Sequence, residues 1–399
     1  MPPAASRAYS RSFRAVALGQ TAVWVLAVAW PLPAIAGEWR FNSNIGSGLR
    51  YSDNLSLERV NPNDGFTGTL TGSGALTYER AAFEAALTGA VELSGYSDND
   101  DLSSVDETIS LRTVFKNERG ALRLGAEYRS DTILANEDDN TGTVGRATDV
   151  ETVGGSLGWE HRTSPRDTLN AGLNFSTRAY EDPGRVDYAF YQASASWSHA
   201  ISETLHGKTS LTAGRFEEAD GTKESNTILG LRFGVAYDAS RRVKFDASFG
   251  PRLVLVDDPA PGADDELWGY GADVSVDYDV DDVTRVRFTL GRNVEPSGAG
   301  LVTDRDRIRF FAERDLSGQL SANISIAYVM SDFEDAPSAD RVETSLTIEP
   351  ALNWKLAPDW SLKIGYQYRQ QEFELGDEAD SNSVRVGLSY RLPPVAWSD

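Results

Sequence analysis

Hydrophobic and polar residues alternate along nearly the whole chain. Trp39, Phe41, Ile45, Leu49 and Tyr51 stand at odd positions, and Glu38, Arg40, Asn42, Asn44 and Arg50 lie between them. A period of two over a dozen residues places apolar side chains on one face of a β-strand and polar ones on the other. Phe66, Leu70, Leu76 and Tyr78 repeat the pattern against Thr67, Thr69, Thr71 and Thr77, and Phe83, Leu87, Val91 and Leu93 against Glu84, Thr88 and Glu92. Continued to Leu392, the pattern predicts about 18 strands. The last is the cleanest, with Val384, Val386, Leu388, Tyr390 and Leu392 set against Arg385, Gly387, Ser389 and Arg391.

The connections alternate as well. Tight turns at 79–82, 117–120, 162–167, 201–204, 238–242, 279–283, 314–318 and 356–359 are separated by longer polar loops, such as 130–149, 256–266, 332–341 and 372–381. Short turns at one end and long loops at the other, with both termini on the short-turn side, are the signature of a transmembrane antiparallel up-and-down β-barrel with periplasmic turns and extracellular loops. Aromatic residues agree. Trp39, Tyr78, Phe115, Trp159, Trp197, Tyr237, Tyr278, Trp354, Trp360 and Tyr390 mark the turn-side ends of apolar faces. Tyr51, Tyr128, Trp268, Tyr270, Tyr328 and Tyr368 mark the loop side, as two interfacial girdles would. Pro251 and Pro350 fall inside strands and predict bulges there.

Before the first strand, Arg7, Arg11 and Arg14 precede an apolar run to Leu32, and Ala34-Ile35-Ala36 offers small residues at a cleavage site. Residues 1–36 therefore read as a cleaved secretory signal peptide, and 37–399 as a single barrel domain. The mean hydropathy of −0.37 is what alternation produces and does not argue against membrane insertion. Cysteine is absent, so disulfides play no part in holding the chain together. The net charge of −22 argues against nucleic acid as a partner. Outer-membrane lipid, lipopolysaccharide and the barrel-assembly machinery are the partners such a barrel implies.

Acids gather in the loops: Asp98, Asp100 and Asp101; Glu137, Asp138 and Asp139; Asp257, Asp258, Asp264, Asp265 and Glu266; Asp377, Glu378 and Asp380. The polar faces instead favour arginine. Arg40, Arg50, Arg112, Arg123, Arg129, Arg178, Arg232, Arg252, Arg285, Arg287, Arg309, Arg369 and Arg385 are the candidate pore-lining residues. If these faces point inward, the lumen carries a positive surplus that favours anions. The alternative is mutual neutralisation by Glu84, Glu92, Asp106, Glu127, Glu160, Asp246, Asp273, Asp277, Glu343 and Glu349.

Catalytic chemistry has little to work with. His161, His199 and His206 all sit beside short turns, away from the long loops. No H-E-x-x-H, P-loop or G-x-S-x-G motif occurs, and Asp98-Asn99-Asp100 lacks the glycine and terminal glutamate of a calcium loop. The reading is a pore rather than an enzyme, without catalytic residues, metal or cofactor. Its alternative is a non-conducting surface scaffold or adhesin acting through acidic loops. The longest loop, 130–149, is the expected constriction.

The segment Tyr51-Ser52-Asp53-Asn54-Leu55, closing the first strand, resembles a recurrent feature of the beta-barrel porin 2 family and of barrels associated with exopolysaccharide and exosortase systems. The resemblance implies an outer-membrane barrel that serves polysaccharide export and works with export proteins. In one respect the chain departs from typical barrels: residues 393–399 follow the last strand as a tail, which points to Tyr390 as the terminal aromatic that assembly recognises.

Overall fold

The computed structural model describes residues 37–97, 103–132, 149–182, 185–219, 225–257, 266–296, 302–332, 342–373 and 375–398. The predicted signal peptide, residues 1–36, lies outside them, as do the acids of 98–101 and 137–139.

The alternating segments form β1 (Glu38–Ser52), β2 (Gly65–Arg80), β3 (Phe83–Tyr96), β4 (Ser104–Asn117), β5 (Gly120–Thr132), β6 (Asp149–Arg162), β7 (Asp167–Tyr180), β8 (Tyr188–Ala200) and β9 (Leu205–Glu218). They continue as β10 (Ser225–Asp238), β11 (Val243–Asp257), β12 (Glu266–Asp279), β13 (Thr284–Pro296), β14 (Val302–Asp315), β15 (Leu320–Asp332), β16 (Val342–Ala357), β17 (Trp360–Phe373), β18 (Glu378–Arg391) and the short β19 (Val395–Ser398). From β1 to β18 each strand pairs antiparallel with its sequence neighbour, and β1 pairs back onto β18 from Asn44↔Arg391 to Ser52↔Ser383. The result is a closed 18-strand barrel, in which ladders between neighbouring strands satisfy most of the wall's backbone groups, as lipid demands.

Register fixes the faces. Ile45 stands opposite Gly72 and Tyr390, and Leu173 opposite Leu157 and Ala193, so the apolar sets of successive strands form one outer belt. Ile45, Leu49, Leu70, Leu173, Leu211, Phe233 and Phe249 are all largely exposed on it. A soluble protein could not carry so extensive an apolar surface, but a bilayer covers it. Along the turn side of the belt, aromatic rings meet from strand to strand. Trp39 and Tyr78 lie 4.7 Å apart, Phe83 and Phe115 4.8 Å, and Trp360 and Tyr390 4.8 Å between centroids.

Two expectations need correction. The tail does not leave the sheet. After Pro393 and Pro394 the chain returns as β19, pairing from Glu38↔Ser398 to Phe41↔Val395, and Trp397 stacks on Trp39 at 6.0 Å. Proline interrupts the ladder, but the strand resumes once amide donors are restored. The last strand therefore runs in two pieces, and Trp397 lies in the second of them. Nor do Pro251 and Pro350 create bulges. Pairing lapses between Gly230↔Arg252 and Phe233↔Phe249, and between Ile348↔Tyr368 and Ala351↔Gly365, yet the register on either side is unchanged. Each proline costs ladder bonds without inserting a residue.

Candidate functional site

Polar residues on the inner face build the lumen, and its two ends differ sharply. Toward the turns, inward side chains such as Arg40, Asn42, Lys116, Arg123, Arg285 and Arg287 are exposed. Toward the loops, inward side chains are buried, among them Ser52, Thr67, Tyr188, Phe216, Thr303, Arg305, Arg369, Ser381 and Ser383.

Part of the packing at the loop end comes from the β1–β2 connection, residues 53–64. Leu57 packs against Phe373 and Ala379, which project inward from β17 and β18. Asn54 holds the loop in a tight form: its side-chain amide donates to the carbonyls of Glu58 at 3.0 Å and Asp380 at 2.9 Å, and its Oδ1 accepts from the Glu58 amide at 2.9 Å. The Leu55 amide donates to the Asn63 carbonyl at 2.8 Å. Asp53 accepts from the amide and the side chain of Asn382, and Ser52 and Ser381 share a 2.9 Å hydroxyl contact. Arg59 lies over the Phe373 ring at 4.7 Å and bridges to Asp377. This network uses Ser52, Asp53, Asn54 and Leu55, the same segment that carried the family resemblance. The predicted constriction at 130–149 falls almost entirely outside the described residues, and the loop seen in the mouth is 53–64.

Below that packing, strands β1–β3 and β14–β18 enclose a cavity of about 730 Å³. Its charged lining consists of Arg50, Arg309, Lys363 and Arg385 against Glu92 and Glu349, on walls of Thr67, Thr69, Thr71, Ser325, Ser345 and Thr347, with Tyr96 and Gln367 beside them. Glu349 is shared, with Gln367 donating to it at 2.5 Å and Arg385 lying 3.8 Å away. Arg369, only 4% exposed, lies on the inner face of β17 two residues beyond Gln367 on the loop side. Cations therefore exceed acids along this wall.

The opposite wall is balanced. Arg123 bridges to Glu160 at 2.9 Å, Lys208 to Asp246, Arg232 to Asp273, Arg287 to Asp277, and Arg252 to Asp304 at 2.6 Å. Of the thirteen arginines expected to line the pore, Arg50, Arg309 and Arg385 converge on one cavity. Arg40 and Arg285 bridge to Glu38 and Asp279 near the turns, and Arg129 to Glu127 and Asp131. Arg112 sits across from Gly125 on β5, and Arg178 on β7 across from Tyr188 near the loops. Lys363, which alternation also puts on the polar face of its strand, joins Arg50, Arg309 and Arg385 at the cavity, whereas the hydroxyl rows of β2, β15 and β16 stand outside the candidate set. The alternation of Thr67, Thr69 and Thr71 is the signal by which those rows could have been found.

The three histidines lie outside this lumen chemistry. His199 and the Trp197 indole both contact Asp167 at the turn end, His161 stacks on Trp159, and His206 pairs across from Ala200. Among the described residues no group of three or more His, Asp or Glu side chains is arranged to hold a metal ion.

No protein-family model and no curated relative matches the sequence. Among solved structures, the FrpB iron transporter from Neisseria meningitidis (F5-1 variant) superposes with a TM-score of 0.50 at 10% identity, covering 89% of this chain and 82% of that one. OpdK from Pseudomonas aeruginosa, solved with vanillate, gives 0.47 at 12% identity over 90% and 99%. The PirA siderophore receptor from the same organism gives 0.45 at 8% over 89% and 80%. The architecture, with its lipid-facing belt and aromatic girdle, is that of an outer-membrane β-barrel.

Proposed function

We propose that the barrel is an outer-membrane channel whose lumen passes anionic solutes. The observation that carries this is the clustering of Arg50, Arg309, Lys363 and Arg385 around one cavity whose acids are Glu92 and Glu349. Charges at close quarters in a pore select ions of opposite sign, because the screening length of about 8 Å at physiological salt is comparable to the width of a cavity of about 730 Å³. Guanidinium groups add fork-shaped donors that match carboxylates, and rows of Ser and Thr hydroxyls suit a hydrated, hydroxyl-rich solute. An acidic oligosaccharide combines both features. That solute agrees with the resemblance of the β1–β2 segment to barrels of exopolysaccharide systems.

The test is single-channel conductance of the refolded chain in a planar bilayer under a salt gradient. An anion-favouring reversal potential is expected, moving toward cations when Arg50→Gln, Arg309→Gln, Lys363→Gln and Arg385→Gln are combined. A reversal potential unmoved by that quadruple change removes the cavity from selectivity. The burial of the loop end favours a second reading, a non-conducting surface barrel that acts through loop acids such as Asp377, Glu378 and Asp380. Silence from heat-modifiable, folded protein decides for that reading.

A further inference from the structure

The wall has one unzipped seam. Pairing between β12 and β13 runs from Asp279↔Arg285 to Ala272↔Arg292 and stops there. Above it, β12 remains paired to β11 as far as Leu255↔Glu266, and β13 to β14 as far as Pro296↔Val302. Residues 266–271 and 293–296 thus face a gap at the loop end with no ladder between them. Unpaired strand edges are what a barrel in lipid exists to avoid.

Ion pairs across the gap show how the two sides are displaced. Arg252 is on the lumen face of β11, and its guanidinium lies on the lumen face of β12 over Gly269, where a Cβ would stand 2.6 Å from Nη2. Arg232 lies over Gly271 in the same way. Asp304 shares its face of β14 with Ile308 and Phe310, the lipid side by strict alternation. Yet Arg252 grips Asp304 with both nitrogens, Nη1 at 2.6 Å and Nη2 at 2.9 Å. A lipid-side carboxylate meets a lumen-side guanidinium when the top of the β13–β14 pair has moved to the lumen side of β12. Arg232 Nη2 donates to Asn293 Oδ1 of β13 at 2.6 Å, and Arg292, placed in the fork of the seam, reaches Asp304 at 3.0 Å, Asp306 at 2.7 Å and the face of Tyr270 at 4.8 Å.

We infer that the upper β13–β14 hairpin is a flap, latched into the lumen by Arg232 and Arg252, with Arg292 of the flap resting on Tyr270, and able to swing back into the wall beside β12. The two glycines of β12 make the latched position possible, since any side chain at 269 or 271 would occupy the guanidinium sites. The swung position is specified too. Continuing the ladder beyond Ala272↔Arg292 sets Tyr270 opposite Val294 and restores the missing backbone bonds. Latched, the hairpin exchanges those bonds for charge-assisted contacts; unlatched, it recovers them and vacates the mouth. In its effect on flow, the inference rests on the channel reading. The movement itself does not.

The experiment introduces Tyr270→Cys with Val294→Cys into the full chain, refolded and checked for heat-modifiable mobility. Oxidation by copper phenanthroline is expected to form a disulfide that traps the flap in the wall and raises conductance, reversed by dithiothreitol. Adding Asp304→Asn removes the acid that Arg252 and Arg292 share, and is expected to speed disulfide formation about tenfold, the effect of losing a charge-assisted contact. No disulfide, or a rate indifferent to Asp304→Asn, overturns the flap. A disulfide that leaves a conducting channel unchanged overturns its role in flow. Crosslinking with the predicted rates in protein that never conducts supports the flap and sinks the channel reading alone.

Discussion

The two ends of this barrel are built by different rules. At the turn end, the connections are tight, the lumen side chains are exposed, and order resides in the wall: ladders, girdle rings and the β19 closure. At the loop end, order extends into the lumen, where buried side chains and the 53–64 loop form a small core of their own. The wall is held by backbone bonds that any alternating sequence can make. The plug needs particular residues at particular places. Substitutions of inward residues should therefore be tolerated at one end and felt at the other.

The largest effect is expected at Leu57, which is 3% exposed and adopts φ 51°, in the left-handed region that a leucine enters at a cost. Leu57→Ala removes its packing on Phe373 and should loosen the loop by about 2–3 kcal/mol, the low end for a buried leucine. Leu57→Gly removes slightly more side chain but relieves the backbone strain, so it should be no worse than alanine. Limited proteolysis within 53–64 reads both variants, with Arg40→Ala at the exposed turn end as the control expected to change nothing. Equal protease resistance in Leu57→Ala and the parent chain would erase the contrast between the ends.

The middle-sized effect belongs to Trp397. Its stack on Trp39 joins the final strand piece to the first, so Trp397→Ala should cost about 1 kcal/mol, the usual range for an aromatic pair. Because β19 closes the turn end, the variant should also show a heat-modifiable band that melts earlier while protease resistance of 53–64 stays intact. If loop resistance fell with it, the two ends would not be independent units.

What could be read from the sequence follows the same division. Period two set the strands, their faces and the alternation of turns and loops, because each depends on a residue and its near neighbours. It also put Arg50, Arg309 and Arg385 on the inner face. Which of thirteen arginines would converge was not legible, since that depends on closure and stagger around the barrel, and on which acids the stagger brings opposite. Arg252 meeting Asp304 across β12 and β13 has no local signal at all. Segment 51–55 shows itself in the sequence only as a resemblance, whereas its work in the mouth depends on Asp380, Ser381 and Asn382, more than 300 residues away in sequence. The return of the tail after Pro393-Pro394 is not legible locally, because proline is a sound sign of a strand's interruption and no sign of whether it resumes.

The smallest effect is expected at the turn end and tests whether its order is confined to local turns. In the turn between β12 and β13, the Asp281 carboxyl is held below the ordinary aspartate value by the Thr284 hydroxyl and then by the Val283 amide, which donates at 3.0 Å. A depressed folded-state value means that the contribution is fully present above the unfolded value of about 3.9 and is lost as pH falls through the lower, folded one. In micelles, the Val283 amide resonance should therefore titrate below the range of free aspartate, and Asp281→Asn should abolish that titration. Strand amides of β12 and β13 next to the turn should not move in either protein. Movement spreading up these strands toward the unzipped seam would show that the two ends communicate through β12 and β13, and the division between them would have to be redrawn.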